Sequence, residues 1–576
     1  MKSNKIFNTA KVVMAALTVG AMTTACSDWD DHYDANGSAT GSATSTLWEN
    51  ISANENLSDF VSLAKKAGYD KVLSNSQTYT VWAPLNGSFD YETLNNMNLA
   101  TMKKQFMQNH VAHFNYPATG SIDQRVYMIN EKMKKFVGNG TYTMGGTELT
   151  KVNIPNSNGT LHTINGKLDF GFNIYESINA DEYPLDSVSA YFAKYDMKKL
   201  DADNSVKGPV VDGQITYLDS VIVEYNALAN RMSALINSED SNYTLILPTN
   251  EAWIEKKEYL DSILDYLPSY QYAKTFPEKF DSLKKSTDRD LVDNAYLSDS
   301  LSRWFMVANL AFNNNYGDNV KLNKLQTGQT LQADSLVSTC GMKLYSEDAA
   351  DLFKNAQRVN KSNGAVWVTN SIGFKPWFYR SPIKIEGEYN NYIANTFNGD
   401  VSSIRINSAN VNDTVEGRLS NSAYAEVRSS TASANPEIVY YIPAIFKGTY
   451  VLYICVAPSN MNKNTYQPSM LPNRMQIKYG FHNDRGLYEE KQFKGYFSND
   501  PTKVDTIRVG EITYPHATFG LDNAMPYVRI GSRVTRANLS EYDRTLRIDH
   551  IYLIPKELDD YIKEHPDYKW EDETNK

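Results

Sequence analysis

The stretch Gln77–Phe89, QTYTVWAPLNGSF, decides how the chain is divided. Tyr79, Val81 and Ala83 alternate as in a buried strand, and Pro84 ends the ladder because proline offers no donor. Asn86-Gly87 reads as a turn into a helix that starts near Ser88. Further on, Asn242–Trp253 reads NYTLILPTNEAW. A strand, a proline, an Asn-containing turn and a helix start with an aromatic residue return there in the same order. Recurrence on that scale predicts two copies of one domain.

The 576 residues are too many for one core and predict roughly three or four domains. Aromatic residues make up 12%, led by 39 Tyr, and charged residues 22%. That profile fits folded, tyrosine-rich extracellular modules rather than a disordered chain. A formal charge of −10 argues against nucleic-acid binding, which needs clustered Lys and Arg. It does not favour acidic ligands either. Three cysteines do not make a disulfide framework. Cys340 and Cys455 read as buried free thiols, with a bridge between them as the alternative. No CxxC or HExxH occurs, so strong metal-site signatures are absent.

The N-terminus carries the most specific signal. Lys2, Lys5 and Lys11 give a basic start, and Val12–Ala25 is a run of apolar and small residues too short for a stable membrane span. It ends in TTAC at Cys26, which resembles the lipobox of bacterial lipoproteins, whose Cys becomes the lipidated first residue. An ordinary signal peptide with an incidental Cys is the alternative. The SDWDDHYD that follows resembles the export signal that sends Bacteroidetes lipoproteins to the outer face of the outer membrane. Residues 1–25 are thus expected to be a signal peptide. Residues 26–46 are expected to be a lipidated Cys with a flexible tether reaching about 25 Å.

Folding signals begin at Leu47. Leu57, Phe60, Val61 and Ala64 recur at helical spacing, and Gly68 sits where that helix should stop. Leu94–Phe114 reads as further helix. Strands are expected at Val126–Ile129, Thr141–Met144 and Val152–Ile154. Asn156–Leu168, NSNGTLHTINGKL, closes the domain with a turn at Asn158-Gly159 and an alternating strand. The two boxes, TYTVWAPLNGSF and NGTLHTINGKL, resemble those of the fasciclin domain, and NHVAHF at Asn109–Phe114 fits that family's internal histidine motif. Trp82, Leu85 and Asn165 depart from its pattern without breaking the strand-turn logic. The resemblance covers residues 47–170 and implies a compact α/β fold serving adhesion or interaction.

Residues 171–374 read as a divergent second copy. Its closing box is Asn363–Ile372, NGAVWVTNSI, with Trp367 in place of the expected His. Insertions are expected at Tyr195–Ile222 and Tyr259–Ser298, the latter ahead of a helix at Leu301–Phe312. From Lys375 the pattern changes to short, regularly spaced strands. The expected strands are Tyr389–Phe397, Ser403–Ile406, Ala423–Val427, Ile438–Ile442, Thr449–Val456, Arg474–Tyr479, Val504–Ile512, Tyr527–Val534 and Leu546–Ile554. Residues 375–576 thus read as an antiparallel β-sandwich. In the last run Leu546, Ile548, His550 and Tyr552 alternate against Ile551 and Leu553. The run resembles the final strand of galactose-binding-like jelly rolls, many of which bind carbohydrate.

His110, His113 and His162 invite a metal reading. The resemblance instead implies buried histidines that tie helix to sheet, and Trp367 at the place of His162 points the same way, because a packed aromatic cannot replace a ligand. No GxSxG, Cys/His dyad or phosphate loop stands out, so the expectation is a non-catalytic protein without a metal or cofactor at an active site. A cryptic glycoside hydrolase built on a carboxylate pair is the remaining alternative. Candidate ligand contacts are Trp377, Tyr379, Arg380, Tyr389, Tyr392, Tyr466 and Tyr488, with Tyr496 beside them. Trp377–Tyr379 also reads as an apolar joint between domains. Asp400 and Asp413 are candidates for the structural calcium of some jelly rolls. The expected function is a surface-exposed outer-membrane lipoprotein that binds extracellular polysaccharide or a surface protein. The alternative is an accessory subunit docked on a SusC/SusD-like TonB-dependent transporter.

Overall fold

The computed structural model describes residues 44–178, 183–267, 294–326, 329–521 and 525–570. The expected lipobox with Cys26 and most of the expected tether lie outside them, as does most of the insertion expected at Tyr259–Ser298. Among the described residues no helix is long and apolar enough to cross a membrane. The chain divides into two compact units, Met1–Gly171 with Lys198–Glu224, and Phe172–Met197 with Tyr225–Lys576.

The first unit is built on a seven-stranded sheet in the order Val111–His113, Tyr79–Pro84, Gly159–Ile164, Thr147–Asn156, Thr141–Met144, Met133–Asn139, Ser121–Tyr127. Tyr79–Pro84 and Gly159–Ile164 run parallel, pairing Tyr79 with Gly159 and Trp82 with His162. Every residue of Tyr79–Pro84 is buried, as parallel strands covered on both faces require. The two boxes are therefore neighbouring strands at the centre of one sheet. Gly159 has φ 143°, and a Cβ there would lie 1.8 Å from the Tyr79 carbonyl oxygen, so only glycine permits this approach.

The turn after Pro84 does not start a helix at Ser88. Asn86 is used instead to cap an earlier helix, Ser58–Lys66. Its Oδ1 accepts from Asp59 N at 3.0 Å and its Nδ2 donates to Ser58 Oγ and to the Glu55 carbonyl. The next helix, Tyr91–Asn96, begins behind its own cap, Asp90. Gly68, at φ 78°, ends the Ser58–Lys66 helix region as expected. The helix predicted over Leu94–Phe114 breaks at Asn98 and again near Gln108, and Val111–His113 turns into an edge strand on Tyr79–Val81. Met133–Asn139 is a further strand that the sequence pattern did not reveal, because Lys134, Lys135 and Gly138 interrupt its alternation.

The insertion predicted at Tyr195–Ile222 is a long hairpin, Asp196–Val211 and Gln214–Asn226, turned by Asp212 (φ 51°) and Gly213 (φ 79°). Two positive-φ residues are what a two-residue hairpin loop demands. Its stretch Lys198–Glu224 belongs to the first unit, where Val206 and Val221 join Leu57, Phe60 and Leu63 in one core.

The second unit opens with a four-stranded sheet, Ala311–Asn313, Tyr243–Pro248, Gly364–Thr369, Ala356–Lys361. The central pair is again parallel, with Ile246 opposite Trp367. The capping recurs residue for residue. Asn250 accepts from Ser187 N at 2.9 Å, capping the helix Asp186–Ala193. A Cβ on Gly364 would lie 1.9 Å from the Tyr243 carbonyl oxygen. The expected helix Leu301–Phe312 instead spans Asn294–Val307, followed by the edge strand Ala311–Asn313.

The remainder is an antiparallel sandwich. One sheet runs Gly399–Arg405, Ala423–Ser429, Leu546–Pro555, Gly448–Val456, Asp505–Tyr514, with Ile383–Glu386 also on Leu546–Pro555. The other runs Ile393–Phe397, Glu437–Tyr441, Tyr527–Ser532, Met475–His482, Tyr488–Gln492. Their inner faces meet in a core containing Tyr440, Ile454, Ile477, Ile530 and Leu553. The alternation expected in the last strand is broken. Pairing shifts between Cys455 and Val456, so Leu546 and Ile548 face the core ahead of the shift, and Ile551 and Leu553 after it. The shift leaves Asp549 fully buried and His550 half-buried.

Candidate ligand-binding face of the C-terminal domain

In the sheet Ile393–Phe397/Glu437–Tyr441/Tyr527–Ser532/Met475–His482/Tyr488–Gln492, core positions such as Ile438, Tyr440, Val528, Ile530 and Ile477 alternate with outward ones. Register gathers the outward residues into rows. Tyr441 lies opposite Tyr527, Tyr527 opposite Gly480, and Gly480 opposite Glu490. Beside them, Val439 lies opposite Arg529 and Arg529 opposite Lys478, while His482 pairs with Tyr488. Phe397 lies opposite Glu437 at the far edge.

These side chains form one connected surface. The Arg529 guanidinium lies 3.2 Å from Glu490 and 3.7 Å from Glu437, and 5.2 Å from the Phe397 ring centroid. Lys478 pairs with Glu490 at 2.9 Å and Arg533 with Glu437 at 2.6 Å. Tyr527 donates to Glu490 at 2.9 Å, and its ring centroid is 6.0 Å from that of Tyr488. Burial alone would raise the Glu490 carboxyl. Hydrogen bonds from Lys478 and Tyr527 and the Arg529 charge outweigh it and hold the group below the usual range. Burial, with Glu490 beside it, pushes the Tyr527 phenol up to about 12, and it stays a donor at neutral pH. Tyr441, Tyr488 and Phe397 all expose ring surface.

The candidate contacts read from sequence are scattered. Tyr488 belongs to this face. Trp377, Tyr379 and Arg380 are buried. Trp377 donates to Tyr568 Oη at 2.9 Å, its ring centroid lies 5.1 Å from that of Tyr561, and it packs on Ile554 and Leu558. Tyr379 packs in the core shared with the preceding domain, and Arg380 donates to the Lys447 carbonyl and pairs with Glu557. These three residues build the joint and present no face to a ligand. Tyr389 is exposed and accepts from Asn421, whereas Tyr392 is half-buried against the sandwich core. Tyr466 is exposed, and Tyr496 stacks under Arg474 at 3.9 Å. The register that brings Tyr441, Tyr527, Arg529 and Glu490 together was missed. Its signal was present, since Tyr527, Arg529 and Gly531 alternate with Val528 and Ile530.

The histidines do not converge. His110 Nδ1 donates to the Phe106 carbonyl at 2.7 Å while its Nε2 accepts from Leu168 N at 2.9 Å. His162 Nε2 donates to the Tyr116 carbonyl and its Nδ1 accepts from Asn153 N. Both nitrogens of each ring are engaged as a neutral imidazole, which leaves none for a metal. Trp367, opposite Ile246, is packed edge-on to Phe353. The two thiols are free, and Cys340 is exposed rather than buried as expected.

Asp400 and Asp413 are exposed and belong to no converging group of three His, Cys, Asp or Glu side chains among the described residues. Glu386, Glu388 and Asp549 influence one another electrostatically, but the group whose ligand atoms converge among the described residues is Cys455, Asp549 and His550. The buried Glu388 carboxylate makes no well-formed hydrogen bond, Asn421 and its own backbone amide being the nearby donors, and Glu386 Oε2 has none. Burial, then the charges of Glu386 and Asp549, push the Glu388 carboxyl up. Ser420 N donates to Asp549, and Ser420 Oγ donates to Glu386 Oε1. Lys384, 3.5 Å from Glu386 Oε1 and hydrogen-bonded to Ser420 Oγ, supplies positive charge to these carboxylates. Cys455 and His550 also approach Asp549. Burial raises that thiol's pKa, and His550 Nδ1 already faces Asp549 at 3.1 Å, so these ligand atoms are engaged with one another.

Residues 55–169 match the family model described as Fasciclin domain. This first module is a fasciclin domain, followed by a second α+β domain of the same central topology and a β-sandwich. No curated protein matches the chain. Among solved structures, the FAS1 domain pair of the insect cell adhesion molecule fasciclin I is 13% identical, covering 56% of this chain and 98% of its own, with a TM-score of 0.19. A family 35 carbohydrate binding module from Clostridium thermocellum is 12% identical, covering 30% and 97%, TM-score 0.18. The xylan-binding domain from Paenibacillus barcinonensis is 8% identical, covering 30% and 92%, TM-score 0.19.

Proposed function

We propose that this is a lipid-anchored cell-surface protein that binds an extracellular glycan through the outer face of its C-terminal five-stranded sheet, without chemistry on the ligand. The observation carrying this reading is the row of Tyr441, Tyr527 and Tyr488 beside Arg529, Glu490 and Glu437. Tyrosine is common in strands, and the outward positions here bring three of them together. They carry rings that stack on apolar sugar faces, ringed by donors and acceptors for hydroxyls. The lipobox ending at Cys26 and the acidic residues after it support an outer-membrane anchor facing the exterior. The fasciclin domain supports an adhesive or interacting role. The full chain, run through gels containing a polysaccharide panel, is expected to be retarded by at least one member. No retardation by any of them overturns glycan binding. Cys26→Ala is expected to leave the membrane fraction, and its retention there would overturn the anchor.

A second reading, docking on a SusC/SusD-like TonB-dependent transporter, is favoured by the hairpin tip. Val210 is 64% exposed, and Val211 and Ile215 are exposed beside it. Under that reading, Val210→Asp with Val211→Asp abolishes co-purification with the transporter and leaves glycan retardation intact.

A further inference from the structure

We infer that the ligand of this face is an acidic polysaccharide held through Arg529 and Arg474, an inference that rests on the glycan reading above. The outward positions of Tyr527–Ser532 and Met475–His482 continue past the strand ends into Arg533 and Arg474. Arg529, Arg533, Lys478 and Arg474 thus share the face with the carboxylates of Glu437 and Glu490. That positive excess runs against the chain's formal charge of −10. Each carboxylate, moreover, has a nearer partner than Arg529. Glu490 takes Lys478 at 2.9 Å on one oxygen and the Tyr527 hydroxyl at 2.9 Å on the other, with Arg529 at 3.2 Å. Glu437 takes Arg533 at 2.6 Å, and Arg529 stands 3.7 Å from its second oxygen. Arg529 Nε has no acceptor. When an incoming anion draws Arg529 away, Lys478 still neutralises Glu490 and Arg533 still neutralises Glu437. No carboxylate is stranded, which is the penalty that ordinarily keeps such pairs closed. The guanidinium fork then takes a carboxylate or sulfate group with two parallel N–H bonds.

Arg474 supplies the second contact. Among the described residues it pairs with no carboxylate. Its Nη1 donates to Asn538 Oδ1 at 3.2 Å, and its guanidinium lies 3.9 Å from the centroid of the exposed Tyr496 ring. A cation backed by a ring and lacking a counter-ion is open to an anion. Arg529 lies opposite Lys478, and Arg474 precedes Lys478 on the same side of its strand, so the two positions stand roughly 13 Å apart along the sheet. Between them Arg533 folds over Gly531, where a Cβ would lie 2.8 Å from Arg533 Nη1. The positive charge is therefore a line along the strands. A single sugar acid does not span it, whereas a polymer that repeats its negative charge does.

The test is affinity electrophoresis of the full chain in gels containing polygalacturonate or chondroitin sulfate on one side, and soluble galactan or glucomannan on the other, at low and high salt. The expected result is retardation by an acidic polymer, weakened at high salt because the contacts are partly screened. Retardation by polygalacturonate alone identifies the bound group as a carboxylate, and by chondroitin sulfate alone as a sulfate. Arg529→Gln and Arg474→Gln are each expected to weaken it roughly tenfold or more, as loss of a central arginine contact does. Arg405→Gln, which removes an exposed arginine from the other sheet, should leave it unchanged. Thermal unfolding of Arg474→Gln should also stay unchanged, which separates lost binding from lost fold. Retardation by neutral polymers alone overturns the acidic-ligand inference while glycan binding stands. Acidic retardation undiminished in both site variants, or lost equally in Arg405→Gln, overturns this site. Failure with every polymer overturns glycan binding itself.

Discussion

The Tyr69 hydroxyl donates to the Asp219 carboxylate across 2.6 Å in the interior of the first unit, although the two lie 150 residues apart. Gln108 donates to the same oxygen at 3.0 Å, and Lys103 pairs with the other. Asp219 is 1% exposed. A buried carboxylate is tolerable only with such company. Its carrier is the hairpin in the stretch expected to be an insertion, and Lys198–Glu224 is part of the fold of the first unit.

Asp219→Ala is accordingly expected to destabilise the first unit by about 3–5 kcal/mol, because it leaves the Lys103 ammonium facing a cavity without its partner. Tyr69→Phe removes one hydrogen bond and should cost about 1–3 kcal/mol. Denaturant unfolding of the full chain reads both. Equal, small effects would mean that the hairpin contributes little to this unit.

Asn86→Ala and Asn250→Ala each remove a helix cap, for which about 1 kcal/mol is the usual loss. The two variants should behave alike, since both side chains accept from the backbone at the start of an earlier helix. Gly159→Ala and Gly364→Ala should be far worse. Each adds a Cβ under 2 Å from a central-strand carbonyl, and soluble yield is the first measurement to show it.

Acid should weaken the first unit through its histidines. Burial holds His110 down to about 3 and His162 to about 4, from an ordinary 6.5. Between those values the unfolded chain binds protons that the folded one refuses. Stability therefore falls as pH drops from 6.5 toward 4, by up to about 1.4 kcal/mol per pH unit for each histidine. Glu131, pushed up to about 7 by burial and by Asp201, works in the opposite sense over this range. The difference between the full chain and His162→Gln is thus the quantity to follow by calorimetry at several pH values. A pH-independent difference would show that His162 does not titrate in this way.

The fold was legible wherever a local rule decides the outcome. Tyr79–Pro84 and Tyr243–Pro248 could be read from apolar runs ended by proline, and Gly68 from its place after a helical stripe. What escaped was long-range. Nothing near Asn86 says that it caps a helix beginning at Ser58, and a one-residue pairing shift moved Asp549 inward against the apparent alternation. Trp377, Tyr379 and Arg380 looked like ligand contacts because a cluster of aromatics beside an arginine reads alike in a joint and in a binding site. The face around Arg529 required the register of four strands, three of which begin at Glu437, Met475 and Tyr527, far apart in sequence.

The hairpin also sets an order of events. Lys198–Glu224 follows Phe172–Met197 in the chain, so a polypeptide emerging N-terminus first exposes the second unit's opening residues before the first unit is complete. Until Val206, Asp219 and Val221 arrive, Lys103 lacks its counter-charge and the core around Leu57 and Phe60 lacks two valines. The first unit is the earlier to be made, yet it cannot be finished first from its own contiguous sequence. A factor that holds the emerging chain extended until Glu224 has passed would therefore favour correct folding more than one that speeds the collapse of the N-terminal segment.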